Sequence, residues 1–375
     1  SNMALNSNSD GLLEHLYVHI PFCPKICPYC SFYKEASDRN KVQGFLDALL
    51  AELDHFGSER LSVRTIFFGG GTPSALSPSQ LDFLLSGLRK RLDLSNLTEW
   101  TLEMNPATVS LEKAKLLRSL GVNRISMGVQ SWNPEILQRL GRVHSADQAH
   151  RSYEILRAGG FENINLDLIF GVPGQSRIQW METLGRTVAL QPNHISAYCL
   201  TYEEDTEFFR RIQTGEFRQD SSEDAEFFVA TMDFLAGHGF EQYEISNYAL
   251  RGRECLHNLA YWEGKDYLGL GPSAFSTVGN SRWQNIADTQ SYIAKVARGD
   301  SARSFEEHLE ETTRESERIV FGLRTSHGIL RSKIAHQAVE LDDLKRAGYL
   351  ETCGDYIRLT QAGLLIADEI GALLV

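Results

Sequence analysis

From residue 16 onward, apolar positions fall into two alternating patterns. Short runs rich in β-branched and aromatic residues read as strands: Leu16 to Ile20, Thr65 to Phe68, Trp100 to Met104, Arg124 to Val129, Ile164 to Phe170 and His194 to Leu200. Between them, apolar residues recur at helical spacing in Val42 to Phe56, Ser79 to Arg91, Leu111 to Leu120, Ala146 to Ala158 and Gln179 to Leu190. In Ser79 to Arg91, for example, Leu81, Leu84, Leu85 and Leu88 form one stripe. Alternating β and α elements with near-continuous apolar strands predict a parallel sheet covered by helices. Six such units suit an α/β fold built on a partial parallel (β/α)6 barrel.

After Tyr202 the rhythm changes. Glu203 to Phe228 is acidic, aromatic and helical in pattern, with its charges on a solvated face. A Gly- and aromatic-rich stretch from Gly237 to Trp283 carries strand-like pieces at Gln242 to Ile245 and near Tyr267 to Leu270. From about Ser304 the pattern is helical, then passes through Gly348-Tyr349-Leu350, a short strand at Tyr356 to Leu359 and a final helix from Thr360. The expected organisation is a tag remnant and flexible N-terminus over 1–14, the partial barrel over 15–202, an additional α+β extension over 203–303, and a C-terminal winged-helix-like domain over 304–375.

A formal net charge of -12 argues against sequence-independent nucleic-acid binding. The winged-helix-like segment itself carries Glu306, Glu307, Glu310, Glu311, Glu340, Asp342 and Asp343, which favours packing or docking over DNA binding. No apolar run approaches the roughly 18 residues of a membrane span, and no signal-peptide core is present, so the expected location is cytoplasmic with peripheral membrane contact left open. Three of the six cysteines fall within eight residues, a metal-site pattern rather than a disulfide framework. Cys199, Cys255 and Cys353 are scattered and read as small hydrophobes.

Candidate chemistry follows the strand C-termini. The cysteines come after the first strand, Gly69 to Pro73 after the second, Asn105-Pro106 after the third, Gln130-Ser131 after the fourth, and Gly171-Val172-Pro173-Gly174 after the fifth. In a parallel barrel these loops meet on one face, where active sites form. Cys23-x3-Cys27-x2-Cys30 supplies three thiolates, a donor set that selects iron-sulfur clusters or zinc. Zinc knuckles usually pair C-x2-C units or add a spaced His, and neither is here. Three ligands on a four-iron cluster leave one iron open for S-adenosylmethionine (SAM). The glycines of Gly69-Gly70-Gly71-Thr72-Pro73 let backbone approach a ligand closely, the plainer reading being a tight turn.

Together with Tyr17-Val-His-Ile-Pro-Phe-Cys23, Glu103-Met-Asn-Pro106, Gly128-Val-Gln130-Ser, Asp167 to Gly174 and Tyr243-Glu-Ile-Ser-Asn-Tyr248, these motifs resemble the oxygen-independent coproporphyrinogen III oxidase family of radical SAM proteins over nearly the whole chain. The resemblance implies a radical SAM core with a [4Fe-4S] cluster on Cys23, Cys27 and Cys30. It also implies SAM contacts from Tyr17, Tyr29, Gly70, Gly71, Thr72, Glu103, Gln130, Arg142 and Asp167. Family members that oxidise coproporphyrinogen III resemble C-x3-C-x2-C-x-C, whereas here the last place is Phe32. That absence, with His257-Asn-Leu-Ala-Tyr261-Trp262, is similar to the haem-chaperone (HemW-type) branch, in which His257, Tyr261 and Trp262 would bind haem as cargo for an acceptor protein. The branch's Gly-x-x-Ala-His-Ser segment is Gly271-Pro-Ser-Ala-Phe275-Ser276 here, so, if that histidine assists ligation, His257 is expected to stand without a helper imidazole, Cys255 being the weaker candidate neighbour. An oxidase acting on coproporphyrinogen or another tetrapyrrole, and a non-catalytic cluster-bearing scaffold, are the alternatives.

Overall fold

The computed structural model describes residues 13–57 and 61–375, so most of the expected tag and flexible N-terminus lies outside the described residues. Six parallel strands lie side by side in chain order: β1 (Leu13–Ile20), β2 (Leu61–Gly70), β3 (Glu99–Met104), β4 (Arg124–Gln130), β5 (Asn163–Phe170) and β6 (His194–Cys199). The sheet is open and continues to nine strands. Beyond β6 lie the short β7 (Glu241–Gln242) and β8 (Asn247–Ala249), with β8 antiparallel to β6; beyond β1 lies β9 (Leu268–Leu270), parallel to it. The first strand begins at Leu13, inside the segment expected to be flexible.

The connecting helices are α1 (Arg39–Phe56), α2 (Pro78–Arg89), α3 (Leu111–Leu120), α4 (Pro134–Arg139), α5 (Ala146–Ala158) and α6 (Arg177–Ala189). Ser77 with Gln80 and Ser176 with Gln179 form reciprocal capping boxes that fix where α2 and α6 start. The stripe Leu81, Leu84, Leu85 and Leu88 of α2 is fully buried, as its spacing predicts. It packs in one core with the strand residues Ile66, Phe68, Trp100 and Leu102.

The strands are apolar on only one side, which corrects the near-continuous reading. Alternate residues carry His15, Tyr17 and His19 on β1, Glu99, Thr101 and Glu103 on β3, Arg124 and Ser126 on β4, Asn165 and Asp167 on β5, and His194 and Ser196 on β6. Register aligns them across the sheet, with Tyr17 opposite Phe67, Phe67 opposite Thr101, Thr101 opposite Arg124, and Asp167 opposite Ser196. Because side chains alternate with period two, one face packs on helices and the other forms a polar cleft.

Past β6, the acidic stretch resolves into α7 (Glu207–Gln213) and α8 (Ser221–Gly237). Gln242 to Ile245 is not a continuous strand; the ladder with β8 stops at Gln242, Glu244 makes an isolated antiparallel bridge to Thr325, and the chain turns before β8. Then follow α9 (Leu256–Trp262), β10 (Phe275–Val278), β11 (Ser281–Asn285), α10 (Thr289–Ala297) and β12 (Arg303–His308). The last strand straddles residue 304, where the sequence places a boundary, and its pairing with β11 ties it to the preceding segment. The remainder comprises α11 (Glu311–Leu323), shorter helices and a three-stranded antiparallel sheet of Ile329–Leu330, Tyr356–Leu359 and Leu350–Cys353, around a small core of its own that includes Ile319, Leu323 and Ile357.

Candidate functional site

At the C-terminal edge of the sheet the cysteine and glycine loops are bonded to each other. Gly71 N–H donates to the Ile20 carbonyl at 2.7 Å and Thr72 N–H to the Phe22 carbonyl at 2.8 Å, while the Thr72 hydroxyl lies 3.6 Å from Cys23 Sγ. The glycines are required by this protein packing rather than by ligand approach alone. A Cβ on Gly70 (φ +109°) would lie 2.7 Å from the His19 ring, and one on Gly71 would lie 2.7 Å from the Pro21 carbonyl oxygen. Within the cysteine loop, Cys30 N–H donates to the Cys27 carbonyl at 3.2 Å, and burial pushes the Cys23 and Cys30 thiols up. Among the described residues no three His, Cys, Asp or Glu side chains gather tightly enough to share one ion. A four-iron cluster places its thiolates on separate irons, and the three sulfurs on one short loop suit that demand.

Arg142 joins this loop to the fourth strand. Its guanidinium donates to Cys27 Sγ at 3.4 Å and to the Gly128 carbonyl at 2.8 Å. Among the described residues its Nε is buried with no partner, as is Oε1 of Gln130, a residue held in the left-handed region at φ 68°. Tyr29 packs on Phe208 of α7, with ring centroids 6.1 Å apart, and burial raises its phenol against the pull of Arg142.

Two carboxyls face the cleft. Burial, with the neighbouring Asp167 carboxylate second, pushes Glu103 up to about 8. Asp167 is also raised by burial, although Asn165 and Ser126 donate to it at 2.7 and 3.1 Å. Tyr17 stacks on Phe67 at 6.4 Å, and its hydroxyl donates to His19 Nδ1 at 3.0 Å. The direction of that bond follows from the other ring nitrogen, because His19 Nε2 must carry the hydrogen given to the Tyr33 carbonyl at 2.9 Å.

The residues missed by sequence reasoning are deeper on the same face. Arg124 is fully buried, with its Nη1 3.5 Å from the Thr101 hydroxyl and with Glu99, Tyr243 and Asp167 in its field. Glu99 accepts the backbone N–H groups of Leu256 at 2.8 Å and His257 at 3.1 Å, holding the start of α9. His194 bridges Asn165 and the Tyr243 hydroxyl, each at 2.6 Å. The available signal was a charged or hydrogen-bonding residue at every second position of otherwise buried strands.

In the His257-to-Trp262 motif, His257 reaches into the cleft. Its ring stacks on Phe67 at 5.3 Å, its Nδ1 lies 2.8 Å from the Thr65 hydroxyl, and no described residue is hydrogen-bonded to its Nε2. Burial holds it neutral, lowering its pKa to about 3. Tyr261 lies between Tyr267 and Phe321 of α11, stacking on the latter at 5.3 Å, and Trp262 packs edge-on to Phe321 beneath Arg324. Cys255, the weaker candidate neighbour, bonds through its sulfur to Glu99 at 3.4 Å. One expectation is corrected. A second imidazole is present, since the His15 ring centroid lies 6.2 Å from that of His257. Phe275 is 43% exposed on β10.

The family model described as the Radical SAM superfamily matches residues 17–186. The chain is 35% identical to the "Heme chaperone HemW" of Bacillus subtilis, across 96% of this chain and 98% of that protein. It is 34% identical to the protein of the same name from Escherichia coli, across 95% and 96%. Among solved structures, coproporphyrinogen III oxidase (HemN) from Escherichia coli, a radical SAM enzyme, superposes with a TM-score of 0.85 at 25% identity, over 98% of this chain and 91% of that one.

Proposed function

The chain belongs to the HemW family of radical SAM proteins, and from that membership we propose that it is a haem-binding chaperone with a [4Fe-4S] cluster on Cys23, Cys27 and Cys30, a SAM site beside it, and haem as cargo for an acceptor protein in the cytoplasm. The observation that carries the haem reading is His257, whose Nδ1 is engaged by Thr65 while no described residue is hydrogen-bonded to Nε2. Metal-binding imidazoles are commonly oriented through the second nitrogen in this way.

The cluster, when bound, supplies the electron for reductive cleavage of SAM. The protein's part is positioning. The unpartnered Nε of Arg142 suits a carboxylate, and Gln130 Oε1, Glu103 and Asp167 suit an ammonium group and ribose hydroxyls. Tyr17, fixed by His19, and Tyr29, fixed by Phe208, wall the same space. The parallel strands β1 to β6 serve as a partial (β/α)6 barrel, and the segment from α11 onward serves as a winged-helix-like docking domain.

A second reading, an oxygen-independent coproporphyrinogen III oxidase, draws on the whole-chain likeness to that enzyme. Against it stands Phe32, 67% exposed where the oxidases resemble a further cysteine. Anaerobically reconstituted protein should show a Soret band on haem titration that His257→Ala loses, with no multiple-turnover decarboxylation of coproporphyrinogen III when SAM and a strong reductant are supplied. Sustained decarboxylation, or haem spectra identical in wild type and variant, would replace the chaperone reading.

A further inference from the structure

Thr65 sits on β2 between two histidines. Its hydroxyl oxygen is 2.8 Å from Nδ1 of His15 and 2.8 Å from Nδ1 of His257, and the two rings stand at 82° to each other. A threonine hydroxyl has one hydrogen and two lone pairs, so it can donate to only one of the two rings. With both imidazoles neutral, the other ring must itself be the donor.

The direction is set from the far side of His15. That ring is 6% exposed, and its Nε2 is buried with no hydrogen-bond partner among the described residues. It faces the Glu14 carboxylate at 4.0 Å. A carboxylate on that side favours a hydrogen on Nε2, which leaves Nδ1 as an acceptor for the Thr65 hydroxyl. Thr65, its only hydrogen committed to His15, then accepts from His257 Nδ1–H, and the lone pair of His257 is left on Nε2. Each bond polarises the next.

We propose that His15 is a positioning residue which, through Thr65, fixes the tautomer of His257 so that Nε2 carries the lone pair facing the cleft. The proposal rests on the reading that His257 takes the haem iron only for its use, since the tautomer exists without haem. It also gives a physical role to an imidazole buried beside the motif, in a chain whose Phe275 stands where the resemblance expects a histidine.

The test is nitrogen-15 NMR of histidine side chains in the haem-free protein. His257 should appear as the Nδ1–H tautomer and His15 as the Nε2–H tautomer. In His15→Ala the Thr65 hydroxyl is free to turn, and His257 should become a mixture of tautomers. His15→Asn, whose amide oxygen can take the Thr65 hydrogen, should restore the single form. Thr65→Val removes both bonds and serves should His15→Ala not fold. In ferrous haem complexes the iron–histidine stretch should fall in frequency in His15→Ala and Thr65→Val, with affinity weakened about tenfold. An Nε2–H tautomer at His257 in the wild type, or a tautomer unmoved by both substitutions, overturns the relay. Absence of haem binding alongside the expected tautomers would leave the relay standing and remove the chaperone reading instead.

Discussion

The carboxylate of Glu99 accepts the backbone N–H of His257 at 3.1 Å across 158 residues of sequence, so the His257-to-Trp262 motif is fastened to the middle of the sheet. Leu256 N–H adds a second bond at 2.8 Å, and Arg124 lies close enough to feel the same carboxylate. Glu99→Gln presents an amide to donors that need an acceptor and leaves a buried guanidinium undercompensated. The expected cost is about 2–4 kcal/mol in urea unfolding, with loss of the haem Soret band at concentrations that saturate the wild type. Unchanged stability would mean that α9 does not depend on this bond.

Cluster assembly should separate the clustered cysteines from the scattered ones. Reconstituted wild type should hold about four irons per chain. Cys30→Ala should lose the visible absorbance and EPR signal of the cluster, and Cys199→Ala should keep both. Full iron content in the Cys30 variant would refute the ligand assignment.

Glu103 makes ligand-free stability depend on pH. Its pKa is about 8 in the folded chain, against 4.5 for an ordinary glutamate, so between those values the folded protein holds a proton that the unfolded chain has lost. Stability from this group is therefore fully present below about pH 4.5, falls as pH rises, and levels off above about pH 8. Thermal melts of wild type and Glu103→Gln from pH 5 to 9 should diverge in that window. Parallel curves would show that Glu103 is not the source of the slope.

Arg142 is a fork holding two partners, Cys27 Sγ and the Gly128 carbonyl. Lysine offers a point charge in its place, so Arg142→Lys should weaken SAM binding about tenfold or more by calorimetry while the iron content stays near that of the wild type. A variant binding SAM as tightly as the wild type would place Arg142 outside the site.

The order of strands and helices, the cysteine loop and the glycine loop were legible in the sequence because each is a local signal. The stripe of α2 and the serine caps of α2 and α6 need no tertiary context. What escaped were groups whose meaning comes from pairing at a distance: Arg124, Glu99, His15 and Thr65 are isolated polar letters within strands until register sets them side by side. Arg142 owes its SAM contact to the resemblance alone until the turn after α4 brings it back over Cys27. In the sequence the glycines of the second loop suit either ligand approach or a tight turn, whereas much of their necessity comes from the Pro21 carbonyl and His19 behind them. The boundary at residue 304 followed a change in local pattern and ignored a pairing, β11 with β12, that only the folded chain displays.

The position of β9 outside β1 has a consequence for biosynthesis. Leu268 pairs with Leu16, so this edge of β1 stays unprotected until the chain has been made as far as β9. Synthesis from β6 to β9 takes on the order of several seconds, during which a parallel half-sheet offers its open edge to neighbouring nascent chains. Chains released before residue 270 should therefore accumulate in inclusion bodies, and a pause in translation just upstream should lower the soluble yield of the full-length product.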